Sequence, residues 1–105
     1  MALNMYYKNG IVRKTRYQIS DELIPVLYQI HNNTNFPQLN ELIETLYDSQ
    51  DIAPDTAQLL ADEMVAFERL LLSLHLPFPM RPLQKMQTFF TEAASKQQVI
   101  YTSSA

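Results

Sequence analysis

Between Pro54 and Leu76 the chain carries a run that can hardly be anything but one long helix, and whatever fold forms must accommodate it. Pro54 suits a first helical turn, where no N–H is needed, and Asp55 adds charge of the sign favoured at that end. At 100° per residue Leu60, Met64, Phe67, Leu71 and Leu74 share one arc, and Ala61, Val65 and Leu72 widen it. Leu59, Ala66 and Leu70 fall on the opposite side, leaving a narrow polar strip through Asp62, Arg69 and Ser73. A helix apolar nearly all round is normally covered on several sides, so this one is expected to be the central post of the fold.

With 105 residues, the chain fits one domain that buries roughly two-thirds of its unfolded surface. An apolar content of 47% with 18% charged residues is that of a globular protein, neither disordered nor membrane-like. The absence of cysteine excludes disulfides and thiolate metal sites, which suits a reducing cytosol. No basic segment leads into an apolar run at Met1–Lys8, and nothing reads as a transmembrane span. A soluble, cytoplasmic protein is expected.

Charge is distributed in blocks. Residues 1–20 hold Lys8, Arg13, Lys14 and Arg16 without an acid; residues 21–68 hold ten acids without a Lys or Arg. The remainder sets Arg69, Arg81, Lys85 and Lys96 against Glu92, so the blocks carry +4, −10 and +3.

Along the chain, Asn9-Gly10 lies between two strand-like runs and can supply the positive φ angles of a two-residue hairpin turn. Such a turn sets Lys8 opposite Ile11, Tyr7 opposite Val12, Tyr6 opposite Arg13 and Met5 opposite Lys14. Leu3, Met5, Tyr7 and Val12 would then share one face, Tyr6, Ile11, Arg13 and Tyr17 the other, with the first taken as buried. Ser20 or Asp21 can cap a helix to about His31, with Leu23, Leu27 and Ile30 on one side and Pro25 delaying or bending its first turn. Asn32–Asn35 is a loop by composition.

Pro37 opens a second helix to about Asp48, on the spacing of Leu39, Leu42, Ile43, Leu46 and Tyr47. Its other side carries Glu41, Glu44 and Asp48 at a spacing where like charges repel. After a short connection and the Pro54–Leu76 helix, Pro77-Phe78-Pro79-Met80 reads as a stiff crossing that tucks Phe78 against the core. Leu83, Met86, Phe89, Phe90 and Ala93 then mark a last helix from about Leu83 to Ser95. Gln98–Thr102 is β-prone and could add a strand to the hairpin, which alone would be marginal. The fold class expected is α+β: an N-terminal β-hairpin (1–19), a four-helix cluster around the central apolar helix (20–95), and a candidate third strand with tail (96–105), all in one domain (1–105).

Catalytic groups are sparse. One glycine, spent on the hairpin, leaves no phosphate-cradling loop, and neither His31 nor His75 has a partner order that suggests serine chemistry or a metal. Both histidines read as helix C-terminal residues. Glu68 projects inside the apolar arc and must be paired, protonated or snorkelling; an ion pair or a tyrosine hydrogen bond is expected. The basic hairpin, with Tyr6, Tyr7 and Tyr17 interleaved, has the residue types that hold phosphates and stack on bases. Four cations are few beside so acidic a block, and pairing of the hairpin with the acidic helices is the preferred use.

Glu41, Glu44, Asp48, Asp51 and Asp55 are either solvated helix faces or one connected edge that attracts a basic partner. The function expected is a non-enzymatic protein-binding module with no cofactor and no metal, of the kind an inhibitor or immunity protein against a basic toxin such as a nuclease would need to be. A structural subunit or homodimer burying Leu59 and Leu70 is the alternative, and a nucleic-acid binder using the basic hairpin is the second. No membrane partner is expected.

Overall fold

A computed structural model of the protein describes residues 3–8, 14–30, 33–45, 48 and 50–104. Its elements in order are β1 (Leu3–Lys8), β2 (Lys14–Gln18), α1 (Ile24–Tyr28), α2 (Pro37–Glu44), β3 (Asp51–Ile52), α3 (Pro54–Ser73), α4 (Met80–Ser95) and β4 (Ile100–Ser104). The class is α+β: among the described residues, an antiparallel sheet of four strands in the order β2-β1-β4-β3 with four helices. The sequence suggested three strands at most. The fourth, β3, lies in what reads as a connection, and it exists because Asp51 and Ile52 pair with Tyr101 and Ile100.

Alternation along the strands gives the sheet two unlike faces. Met5, Tyr7, Ile52, Ile100 and Thr102 point into the protein and are buried, and the helices cover this face. The link is α4: the Phe89 ring packs on Tyr7 at 5.3 Å and on Tyr17 at 5.7 Å, and Tyr17 donates its hydroxyl hydrogen to the Pro82 carbonyl at 3.1 Å. Burial raises the Tyr17 phenol from 10.0 to about 12.

The hairpin register differs from the expected one. Lys8 faces Lys14, Tyr7 faces Thr15, Tyr6 faces Arg16 and Met5 faces Tyr17, a slip of three residues that transfers Tyr17 to the inner face. An odd slip must do so, because side chains alternate with period two. Asn9-Gly10 suits a tight turn by its own dihedral preferences, but burying Tyr7 and Tyr17 together against Phe89 of α4 decides the register. The turn itself, with Ile11, Val12 and Arg13, lies outside the described residues.

The three long helices follow their apolar periodicity. α4 starts at Met80 rather than Leu83, and it buries Leu83, Met86, Phe89, Phe90 and Ala93. α2 buries Leu39, Leu42 and Ile43 but ends at Glu44 rather than Asp48, where Thr45 turns its hydroxyl back onto the Glu41 carbonyl at 2.9 Å; Leu46 and Tyr47 lie outside the described residues. α1 is the weakest element. With Pro25 in its first turn it is five residues long, its N-cap is Leu23 with no side-chain cap bond, and the Ser20 hydroxyl expected to cap it is buried without a partner. Leu23, Leu27 and Ile30 are buried on one side, as their spacing suggests.

α3 corrects the picture of an enclosed post. Ala57, Leu60, Ala61, Met64, Phe67 and Leu71 form one buried arc against α4 and α2. On the opposite side, expected to be covered, Leu59 is 49% exposed and Ala66 is exposed while Leu70 packs partly against the core, and Leu72, expected to widen the arc, is 50% exposed. Leu74, expected inside the arc, is 54% exposed because the helix is already ending. His75 takes a left-handed φ of 54°, and its N–H and that of Leu76 return to the carbonyls of Leu72 and Leu71. The chain reverses there through backbone bonds, the arrangement normally given to glycine. Gln97, also at φ 54°, ends α4 the same way. Phe78 in the following crossing packs partly against the core, as expected.

Two acids of the central helix are spent on neighbours. Glu68 is half-buried and accepts a hydrogen bond from the Gln84 amide of α4 at 3.0 Å, so it is paired, though by neither of the expected partners. Glu63 reaches the start of α2, where its carboxylate accepts the Gln38 N–H at 3.0 and 3.1 Å and the Leu39 N–H at 3.0 Å. It caps from another helix an N-terminus that Phe36, its own N-cap residue, cannot.

Candidate binding surfaces

A run of polar bonds ties the end of α2 to the sheet. Thr45 Oγ1 accepts the Gln50 side-chain amide at 2.7 Å. The Gln50 backbone N–H donates to Thr102 Oγ1 at 2.8 Å, and the Thr102 hydroxyl and N–H both reach the Gln50 carbonyl at 3.0 Å. Thr102 is buried and its hydroxyl both donates and accepts, so this clasp fixes the backbone immediately before β3. Asp51 is thereby held on the outer edge of the sheet next to α2.

All five predicted carboxylates are exposed. Glu41 and Asp51 line one cleft of about 130 Å³, together with Gln38, Gln50 and Thr56. The structure does not place the other three there: Glu44 is the last residue of α2, Asp48 lies in the bend beyond it, and Asp55 is in the first turn of α3. Because α2 stops at Glu44, Asp48 is off the helical stripe that the sequence suggests. Among the described residues no group of three or more His, Cys, Asp or Glu could hold a metal ion.

Strand order keeps the β2 cations away from Asp51. Lys14 and Arg16 lie on β2, at the far edge from Asp51 on β3, three steps of about 4.8 Å away. Their surroundings are instead basic and aromatic. The face of the sheet turned away from the helices presents Tyr6 and Lys8 from β1, Lys14 and Arg16 from β2, Tyr101 from β4 and Asp51 from β3, all exposed or half-exposed. The rings of Tyr6 and Tyr101, directly cross-strand, stand 5.4 Å apart at 32°, and the Lys14 ammonium lies 4.9 Å from the Tyr6 ring centre. A groove of about 550 Å³ opens beside Tyr6, Lys14 and Arg16. Round the β2 edge a second, of about 400 Å³, is lined by Arg16, Arg81 and Lys85.

Of the three hairpin tyrosines weighed for base stacking, only Tyr6 is on this open face; Tyr7 is buried and Tyr17 points inward. Tyr101, Arg81 and Lys85 were not singled out from the sequence. Alternation within Ile100-Tyr101-Thr102 could have put Tyr101 outward, but only once the strand was set beside β1.

No protein-family model matches the chain, and neither a curated protein nor a solved structure is significantly similar to it. Among the described residues no helix is long and apolar enough to cross a membrane.

Proposed function

We propose that the protein is a non-catalytic binding module that docks a basic protein on the edge carrying Glu41, Glu44, Asp48, Asp51 and Asp55, as an inhibitor or immunity-type protein acting on a basic toxin such as a nuclease would. The observation that carries this reading is the separation of charge across the sheet. The ribbon cations Lys14 and Arg16 stand on β2, while Asp51 stands on β3 and shares one cleft with Glu41, so a positive partner approaching that edge meets carboxylates before it meets those cations. Attraction of this kind acts chiefly on the rate of encounter. The Thr102 clasp supports the reading as well, since a carboxylate on a fixed backbone loses less freedom on docking.

The test is affinity capture from the source cell with the parent protein and with a Glu44→Lys, Asp48→Lys, Asp51→Lys variant, followed by mass spectrometry. A basic protein retained by the parent and lost by the variant, with the loss falling mainly on the association rate, is the expected result. Identical capture by both refutes the reading. The homodimer alternative draws on a different observation, the exposed Leu72, Leu74, Leu76 and Met80 around the turn from α3 to α4. It predicts a sedimentation coefficient that rises with concentration and a Leu72→Gln variant that stays monomeric.

A further inference from the structure

We infer that the open face of the sheet is a platform for single-stranded nucleic acid, with bases stacking on Tyr6 and Tyr101 and the phosphate backbone following Lys8, Lys14 and Arg16. The site borders the acidic edge at Asp51 but does not rest on it.

Three features converge. Tyr6 and Tyr101 are half-exposed neighbours on the side of the sheet that no helix covers. Aromatic faces so placed accept any base, because every base has a π face. One face of the Tyr6 ring carries the Lys14 ammonium, a cation–π contact that a stacking base displaces, freeing the ammonium for a phosphate. The cations are arranged as a track rather than a cage. Lys8 and Lys14 lie directly opposite one another, a like-charge pair that costs stability in the free protein and is relieved when a polyanion lies between them. Arg16, opposite Tyr6, continues the track into a groove large enough for a nucleotide-sized ligand.

A duplex fits this face poorly. It offers phosphates, but its bases are stacked inside and cannot reach the tyrosines. Asp51 opposite Tyr101 sets a limit: it repels phosphate at the β3 side and confines the backbone to the β1 and β2 side.

The experiment uses the full chain and fluorescein-labelled oligomers of about twelve nucleotides, within the span of one stacking groove: oligo-dT, oligo-U and a duplex of equal length. Fluorescence anisotropy should show one or both single strands binding more tightly than the duplex. With three phosphate contacts the slope of log K against log salt should be about −2. Tyr101→Leu and Tyr6→Leu should each weaken binding by about tenfold, and Tyr6→Phe should retain it. The chain has six tyrosines and no tryptophan, so quenching of tyrosine emission in the unmodified protein reports stacking even if a leucine variant fails to fold. Which single strand binds tells RNA from DNA. Failure of both to bind at low salt overturns the inference, and so does a duplex bound as tightly as a single strand without quenching, which is charge adhesion alone. Neither result bears on the acidic edge.

Discussion

Removing the Glu63 carboxylate tests whether the helical layer is held by the contact described above. Pro37 has no N–H, Gln38 and Leu39 donate to Glu63, and Asn40 donates to the Phe36 carbonyl at 2.9 Å. Every donor of the first turn of α2 is therefore used, two of them by one side chain from α3. Glu63→Ala leaves two amides without their charged acceptor, about 1 kcal/mol each, and removes a negative charge from a helix N-terminus, a further 0.5 kcal/mol or so. The expected loss is about 2 to 3 kcal/mol, a fall of about 1 to 2 M in urea midpoint at a typical m-value. Glu63→Gln keeps one oxygen acceptor and should lose about half as much. Urea unfolding followed by circular dichroism gives the midpoints, and amide hydrogen exchange should quicken at Gln38 and Leu39 in the alanine variant. If both variants unfold within about 0.5 kcal/mol of the parent, or those amides exchange at the parent rate, the cap contributes nothing and the reasoning fails.

Other expectations follow from single contacts. Tyr17 keeps its proton in the folded state up to about pH 12 while the unfolded chain releases it near 10.0; its contribution to stability is therefore constant below pH 10 and declines between the two values, and Tyr17→Phe should abolish that part of the decline. Ultraviolet titration of the phenolates checks it. Thr102→Val removes the clasp on Gln50 and should cost about 1 to 3 kcal/mol, read by urea unfolding, with exchange of the Gln50 amide rising most. Gln97→Gly and His75→Gly relieve left-handed residues and should each raise stability by up to about 1 kcal/mol in thermal unfolding. Phe67→Ala, at a position fully buried in the core, should cost about 3 to 5 kcal/mol and leave little folded protein at 37 °C.

What could be read from the residues divides along local and non-local lines. The spacing of Leu60, Met64, Phe67 and Leu71, and of Leu83, Met86, Phe89 and Phe90, is written within each helix, and both arcs are buried where that spacing puts them. Periodicity alone did not tell how many sides of α3 have a neighbour, so Leu59 and Leu72 were assigned company they lack. Strand β3 has two residues and depends on Ile100 and Tyr101, far along the chain; no pattern in Asp51-Ile52 announces it. The hairpin register was misread because the turn was judged by its own dihedral preferences, whereas the partner of Met5 is set by what α4 can cover. The five acids were legible as a charge block, but only Glu41 and Asp51 meet at one cleft. Strand order, which no local pattern announces, sets Lys14 and Arg16 three strands away from Asp51.

That same order dictates a schedule for assembly. β1 receives β2 within a few residues of itself, but its other neighbour, β4, comes from nearly a hundred positions further on. A ribosome delivering the polypeptide in sequence must hold the Leu3–Lys8 strand half-zipped, with one row of amides and carbonyls facing outward, while every helix is made. Folding then finishes from the middle of the sheet rather than from its rim. A protease that trims 100–104 takes away the strand that joins the first segment to Asp51-Ile52 and splits the sheet in two.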